Sequence, residues 1–244
     1  MVGRRRRRPH RCALDAGTVT DGGGAICLQG GRELTPACDE MDRAVLERCS
    51  GAVVVLAGAA RRGSDYAGAS ARTVSHYRRL GVTVDVVPDP RDDHSTALAA
   101  LGDGTGLVVL PGGSPGGLLD VLTTRAAHGP TIAERLVALW SSGTAISGAS
   151  AGAMVLCTRT ATPDRSADLA AGLDLVPGVA IPHWSPGSER RWSLPDTLLW
   201  GLPECGGVLI DGGSMIGVGQ GVASTRTAGT WTAVDRHTPQ ALPR

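Results

Sequence analysis

The chain has 244 residues, of which 42% are hydrophobic and 19% charged, and its formal net charge is +1. This length and apolar content predict a folded domain with a sizeable core, and they exclude a disordered chain or a small disulfide-stapled protein. Six arginines stand within residues 1–11 without an acidic neighbour, so the rest of the chain carries a formal net charge of −5, which is +1 less 6. The body of the protein therefore lacks the positive charge expected for binding nucleic acid.

No stretch approaches the roughly 20 apolar residues of a membrane span, and no apolar segment of signal-peptide length follows the N-terminal arginines. The six cysteines include no Cys-x-x-Cys pair, which argues against a zinc site or a disulfide framework. We therefore expect a cytoplasmic protein with no membrane partner. Residues 1–22 are expected to form a disordered Arg-rich tail, residues 23–235 a single α/β domain, and residues 236–244 a C-terminal tail.

From residue 24, short apolar runs alternate with longer segments of helical character, which is typical of βα units on a parallel sheet. Strands are predicted at 25–28, 52–56, 82–87, 107–110 and 144–147, helices at 36–49, 66–80, 118–126, 131–142 and from 153, and a polar loop at 89–93. Near the C-terminal end, two apolar runs flank an Asp-Gly pair at 211–212, which indicates a hairpin. The predicted fold is one α/β domain, with a mostly parallel sheet flanked by helices and a C-terminal antiparallel hairpin.

The segment 147–153 reads Ser-Gly-Ala-Ser-Ala-Gly-Ala. A strand that turns sharply into a helix exposes its corner residue, and small neighbours at Gly148 and Gly152 let the chain pass close to itself. The corner residue would be Ser150, at a helix N-terminus where backbone N–H groups favour negative charge. The pattern predicts a serine nucleophile with the Ala151 N–H as an oxyanion donor, although such corners also occur as plain packing or as anion sites.

The glycine-rich loop 111–117 follows the neighbouring predicted strand. Glycine lets backbone approach a substrate carbonyl closely, so the Gly113 N–H is the predicted second oxyanion donor. The loop lacks both the Lys-Ser/Thr ending of a Walker phosphate loop and the G-x-G-x-x-G pattern of dinucleotide sites. Nucleotide binding is therefore disfavoured.

A serine nucleophile needs a base, and the base needs a group that orients it. His183 directly follows a turn and a buried-type strand at 175–182. The other histidines lie elsewhere: His10 in the tail, His237 near the C-terminal end, His94 in an acidic loop, and His76 and His128 on or beside polar helix surfaces. The alternative to a catalytic base is that His183 is a strand-end histidine whose side chain hydrogen-bonds only to backbone. Among the later acidic residues, Glu204 stands in an otherwise apolar context, where a lone carboxylate requires a partner.

Together these motifs resemble those of the α-aspartyl dipeptidase (dipeptidase E) and cyanophycinase family of serine peptidases. The matching segments are the nucleophile motif at 148–153, the glycine loop at 110–113 with Leu118 and Leu119, the histidine motif from 173–175 to 182–184, and the acid motif at 201–204. They occur in the family's order, and the resemblance covers roughly residues 23–232. It implies a class I glutamine amidotransferase-like fold, with Ser150 as nucleophile, His183 as general base and then acid, and Glu204 as the carboxylate that orients His183.

The family hydrolyses peptide bonds after an aspartyl residue, so the implied substrate is a small peptide with an acidic residue. Segment 187–190 resembles the family segment whose arginine meets the acidic side chain, which makes Arg190 that candidate. Ser114 is a second expected substrate contact, in a loop where family members usually have a third glycine and a polar Asn or Asp. Trp184 replaces the usual Phe, and Pro182 stands where cyanophycinase-like motifs have Gln, which favours the dipeptidase branch.

We therefore predict a serine exopeptidase that cleaves after an N-terminal aspartyl residue and requires no metal or organic cofactor. The alternatives are cyanophycinase-like hydrolysis of β-Asp-Arg peptides and a catalytically silent binding protein of the same fold. A class I glutamine amidotransferase would need cysteine at the nucleophile position. The order Ser-His-Glu also differs from that of α/β-hydrolases, which argues against a lipase or esterase. The sequence is compatible with a homodimer.

Overall fold

The structure is a computed structural model that describes residues 22–125, 129–162, 169–188, 194 and 197–243. In its first half, strands alternate with helices: β1 (Ile26–Gln29), a 3₁₀ turn (Pro36–Cys38), α1 (Asp39–Leu46), β2 (Ala52–Val55), α2 (Ser64–Arg79), β3 (Val84–Val86), α3 (His94–Ala100), β4 (Thr105–Leu110), α4 (Pro115–Thr123), α5 (Ile132–Ser141), β5 (Ala145–Ala149) and α6 (Ala151–Leu156). None of the described helices combines the length and the apolar character needed to cross a membrane.

After α6, the elements described from end to end are strands: β6 (Cys157–Thr160), β7 (Ala170–Ala171), β8 (Val176–Pro182), β9 (Leu199–Leu202), β10 (Gly206–Asp211), β11 (Ser214–Gly219), β12 (Ser224–Thr227), β13 (Thr230–Ala233) and β14 (Gln240–Ala241). The predicted α/β class is confirmed, and the elements predicted in the first half are present with their ends shifted by a few residues.

Eight strands form the first sheet, in the order β14-β11-β10-β1-β5-β4-β2-β3. The five strands from β1 to β3 are parallel, and β10, β11 and β14 continue the sheet in antiparallel fashion. The β10–β11 hairpin turns at Gly212 and Gly213, with φ of 52° and 78°. Positive φ at both turn residues matches the strand twist. The predicted hairpin is therefore present, but its turn is Gly212-Gly213, and Asp211 is the last residue of β10, paired with Ser214.

Six further strands form a second sheet, in the order β13-β12-β9-β8-β6-β7, which the sequence pattern did not predict. Only the run that became β8 was expected as a strand. The others are short, and β12 reads Ser-Thr-Arg-Thr, without the apolar alternation that marks a half-buried strand. In this sheet β6, β8 and β9 run parallel. As a result β8 and β9 end side by side.

The predicted polar loop at 89–93 ends where expected, but His94, which the sequence analysis placed in an acidic loop, begins helix α3. Asp93 is the N-cap of this helix, and its carboxylate accepts hydrogen bonds from the Thr96 hydroxyl and backbone N–H. These bonds stabilise the charged form and lower the pKa of Asp93 to about 2. Helix α4 likewise begins earlier than predicted, because the Ser114 side chain caps it and Pro115 occupies its first turn.

His76 is buried, with 2% of its surface exposed, instead of lying on a polar helix surface as the sequence suggested. Its Nε2 lies 2.6 Å from Asp42 Oδ2, and Asp42 Oδ1 accepts hydrogen bonds from Gln29 Nε2 at 2.8 Å and from the Tyr77 hydroxyl at 3.0 Å. Gln29 also donates to Ser147 Oγ at 3.1 Å. Burial and the neighbouring Asp42 carboxylate raise the pKa of Tyr77 well above its usual value. This buried network joins α1 and α2 to strands β1 and β5.

Replacing the centre of this network should destabilise the fold. Asp42→Ala leaves three buried polar partners unsatisfied, so we expect the free energy of unfolding to fall by about 3 kcal/mol, as measured by denaturant unfolding. The control is Arg61→Ala, which removes an exposed ion pair with Asp65 and should change the free energy by less than about 0.5 kcal/mol. Equal stabilities of the two variants would contradict a structural role for Asp42.

Candidate active site

Ser150 stands at the sharp turn between β5 and α6, as the glycine spacing predicted. Its φ and ψ are 49° and −108°, a strained conformation for a residue with a side chain. The turn is tight: a Cβ at Gly148 would lie 2.6 Å from the Gly152 carbonyl carbon, and one at Gly152 would overlap the Leu110 carbonyl oxygen. Only glycine at both positions allows this turn, which exposes Ser150 at the carboxyl end of the first sheet.

His183 and Glu204 are positioned by the parallel strands β8 and β9. Pro182, the last residue of β8, is paired with Leu202, the last residue of β9. The loops that follow the two strands therefore leave the second sheet next to each other, and they carry His183 and Glu204. Both side chains are about half exposed, at 51% and 49%.

The structure brings Ser150, His183 and Glu204 into one chain of contacts. Ser150 Oγ lies 3.1 Å from His183 Nε2. His183 Nδ1 lies 3.4 Å from Glu204 Oε1, and Glu204 Oε2 lies 3.7 Å from the Arg32 guanidinium. With Glu204 ionised, the proton of a neutral His183 stays on Nδ1 and Nε2 accepts from the serine hydroxyl. This is the arrangement of a nucleophile, its general base and an orienting carboxylate.

The end of β1 holds all three loops together. The N–H of Ser150 donates to the Gln29 carbonyl at 2.9 Å, that of His183 to the Gly30 carbonyl at 2.8 Å, and that of Cys205 to the Gly31 carbonyl at 3.0 Å. A Cβ at Gly31 would overlap the His183 ring. The backbone at residues 29–31 thus sets the distances within the site, a role that the sequence analysis did not assign to Gly30 or Gly31.

The glycine loop after β4 approaches Ser150 through Gly112. A Cβ at Gly112 would lie 3.1 Å from the Ser150 Cβ, and the Gly112 N–H donates to Glu33 Oε1 at 2.9 Å. Gly113 has φ of 149°, and a Cβ there would overlap the Ala59 carbonyl oxygen, so glycine is required. Ser114 Oγ accepts the N–H of Gly117 as the cap of α4. The predicted oxyanion donor Gly113 thus lies in the loop beside Ser150, and Ala151, the other predicted donor, is the first residue of α6, directly after Ser150.

Arg32 and Glu33 are site residues that the sequence analysis missed. Both follow β1, a central parallel strand whose carboxyl end faces the site. Because ligands of open α/β sheets bind at the carboxyl ends of the strands, the polar pair directly after Gly30-Gly31 was an available signal. Arg190 lies outside the described residues, so the structure does not locate this predicted substrate contact.

A cavity of about 480 Å³ opens beside Gly112. It lies between the loop after β1, the start of the glycine loop and helix α2, and its lining includes Glu33, Pro111, Gly112, Arg72 and His76. Within the described ranges, no three His, Cys, Asp or Glu side chains cluster as metal ligands would.

Comparison with known proteins relates this fold to peptidases. The model of peptidase family S51 matches residues 28–225. Among solved structures, the chain is similar to a peptidase from an acI-B1 actinobacterium, with 20% identity, a TM-score of 0.73, and coverage of 90% of this chain and 97% of that one. It is also similar to a putative peptidase E protein from Listeria monocytogenes EGD-e, with 13% identity, a TM-score of 0.60, and coverage of 82% and 100%.

At these identities the two structures support the fold alone, and no curated protein sequence matches the chain. The family model covers most of the chain, including the segments that carry Ser150, His183 and Glu204. The resemblance inferred from the motifs is confirmed: the chain belongs to peptidase family S51, the dipeptidase E family, and is a serine-type peptidase.

Proposed function

We propose that the protein is a serine exopeptidase that hydrolyses the peptide bond after an N-terminal aspartyl residue, with Ser150, His183 and Glu204 as its catalytic triad. The observation that carries this proposal is the contact chain from Ser150 Oγ through His183 to the Glu204 carboxylate, with distances of 3.1 and 3.4 Å. Contacts of this length are within the range expected for a site without bound substrate.

In the proposed acylation step, Ser150 Oγ attacks the carbonyl carbon of the aspartyl residue while its proton passes to His183 Nε2. The Glu204 carboxylate stabilises the resulting imidazolium, and the N–H groups of Gly113 and Ala151 hold the oxyanion. His183 then gives the proton to the leaving amine as the C–N bond breaks. A water molecule, deprotonated by His183, attacks the acyl-enzyme and releases the aspartyl product and the Ser150 hydroxyl.

The aspartyl specificity rests on the family resemblance and on the charge available around the site. The resemblance assigns Arg190 to the acidic side chain of the substrate and places Ser114 in the loop that faces it. Arg72 adds a further positive side chain to the cavity beside Gly112. A guanidinium binds a carboxylate through a planar pair of donors, which suits recognition of an aspartyl side chain.

Hydrolysis of a small peptide panel tests the proposal. We expect the wild-type protein to cleave Asp-Leu, with slow or no cleavage of Glu-Leu, Ala-Leu and β-Asp-Arg, as measured by release of free amino acid. Ser150→Ala should lose the activity by at least about 10³-fold, because no other group replaces the nucleophile. Cleavage of β-Asp-Arg alone would instead indicate the cyanophycinase-like activity, and cleavage of none of the four would contradict the proposal.

The role of Glu204 can be measured separately. Glu204→Gln keeps the size of the side chain but removes the charge that stabilises the protonated His183, so kcat should fall by about 10²-fold or more with a smaller change in KM. Arg32→Gln serves as a comparison, because it removes the 3.7 Å contact to Glu204 while leaving the carboxylate in place. A kcat for Glu204→Gln close to that of wild type would exclude Glu204 from the triad.

A further inference from the structure

Glu33 brings a carboxylate close to the nucleophile. A Cβ built on Gly112 would lie 2.6 Å from Glu33 Oε1 and 3.1 Å from the Ser150 Cβ, so the two side chains approach the same point from different loops. The position of Glu33 is fixed, because its Oε1 accepts the Gly112 N–H at 2.9 Å. The catalytic mechanism described above gives this carboxylate no role.

The Glu33 carboxylate has no positive partner within the described ranges. Arg32, its neighbour in the chain, lies instead against Glu204, with 3.7 Å between the charged atoms. Arg79 bonds to Asp39 and His76, and Arg72 makes no ion pair with Glu33 or with any other described acid. In the part of the chain that the structure describes, Oε2 of Glu33 thus has no hydrogen-bond donor, and it can accept hydrogen bonds from a ligand.

An unpaired carboxylate at this place has an electrostatic cost for catalysis. Glu33 is half buried, and it accepts the N–H of Gly112, the residue directly before the proposed oxyanion donor Gly113. Like charges in a partly desolvated site repel one another and raise the barrier. The cost disappears when a cation binds to Glu33, and a peptide with a free N-terminus brings such a cation next to its first carbonyl group.

The cavity beside Glu33 has the size and charge for the rest of an N-terminal acidic residue. Its volume of about 480 Å³ is in the range of small-ligand sites. Arg72 lines the same cavity with no acidic partner among the described residues. One cavity thus presents a carboxylate and a guanidinium that have no ion-pair partner among the described residues, and these groups complement the ammonium group and the side-chain carboxylate of an N-terminal aspartyl residue.

We propose that Glu33 binds the α-ammonium group of the substrate and that the cavity beside Gly112 receives the side chain of its N-terminal residue. This inference rests on the proposed function and deepens it, because it gives a physical reason for exopeptidase action. A peptide with a blocked N-terminus would leave Glu33 without a cation, whereas a free N-terminus neutralises it. Glu33 is thus a specificity-determining residue.

The test compares substrates with and without the ammonium group. Succinyl-leucine is Asp-Leu without its amino group, so it isolates the proposed contact. In Glu33→Gln, which still can accept the Gly112 N–H, we expect kcat/KM for Asp-Leu to fall by about 10- to 100-fold, the usual effect of losing a charged hydrogen bond. The inhibition constant of succinyl-leucine should stay the same or decrease, because the repelling carboxylate is gone.

The control variant is Glu47→Gln, which removes the same charge from an exposed position away from the cavity and should change neither constant. An equal loss for Asp-Leu and succinyl-leucine in Glu33→Gln would show a merely structural role, and no loss for Asp-Leu would refute the contact. Either result overturns the inference.

A binding measurement separates this inference from the proposed catalysis. Calorimetry with Ser150→Ala and with the double variant Ser150→Ala, Glu33→Gln needs no turnover. We expect Asp-Leu to bind the double variant about 10-fold or more weakly, with succinyl-leucine bound equally by both. If the wild-type protein fails to cleave Asp-Leu while this difference in binding persists, the proposed reaction fails and the ammonium site stands. If binding of Asp-Leu is equal in the two variants, the ammonium site is refuted.

Discussion

The active site depends on three consecutive backbone carbonyls at the end of β1. The carbonyls of Gln29, Gly30 and Gly31 accept, in that order, the N–H groups of Ser150, His183 and Cys205. The proposed nucleophile Ser150, the proposed base His183 and the residue directly after Glu204 are thus held against one short piece of extended chain. Since Ser150 leaves the first sheet and the other two leave the second, these hydrogen bonds also fix the two sheets relative to each other at the site.

The same three N–H donors belong to residues with unfavourable backbone angles. Ser150, His183 and Cys205 have φ of 49°, 51° and 53°, in the left-handed region that residues with side chains rarely adopt. Each such residue costs of order 1 kcal/mol or more, and it persists only where the surroundings determine its conformation. Here the hydrogen bonds to residues 29–31 and the glycines at 148, 152 and 31 hold the three residues in these conformations. The strain is concentrated where side chains must project from loops toward one another.

Local patterns in the sequence predicted the part of the fold in which each element carries its own signal. The buried runs of β2 and β4, the helices α2 and α5 and the hairpin at 206–219 were all recognised, whereas the short helix α3 was not. The second sheet was not predicted, because β9 and β12 are short and their pairing joins residues 199–201 to residues 224–226. His76 was misassigned for the same reason: helix α2 is polar enough to suggest exposure, and only the approach of Asp42 from α1 explains its burial. The turn at Ser150 was predictable because its glycines, at 148 and 152, are close to it in the sequence. The contacts of Glu33 and Gly31, in contrast, depend on loops from other parts of the chain.

The division of the site between two sheets has a consequence for folding. The first sheet contains the Ser150 turn, while His183 and Glu204 are carried by strands that form a separate sheet. The hydrogen bonds from residues 29–31 to residues 150, 183 and 205 span most of the chain, so closing them requires large loops to be ordered first. A refolding chain can therefore build helices and both sheets and still be inactive. Recovery of hydrolysis during refolding reports the docking of the two sheets, which circular dichroism of the backbone would not distinguish.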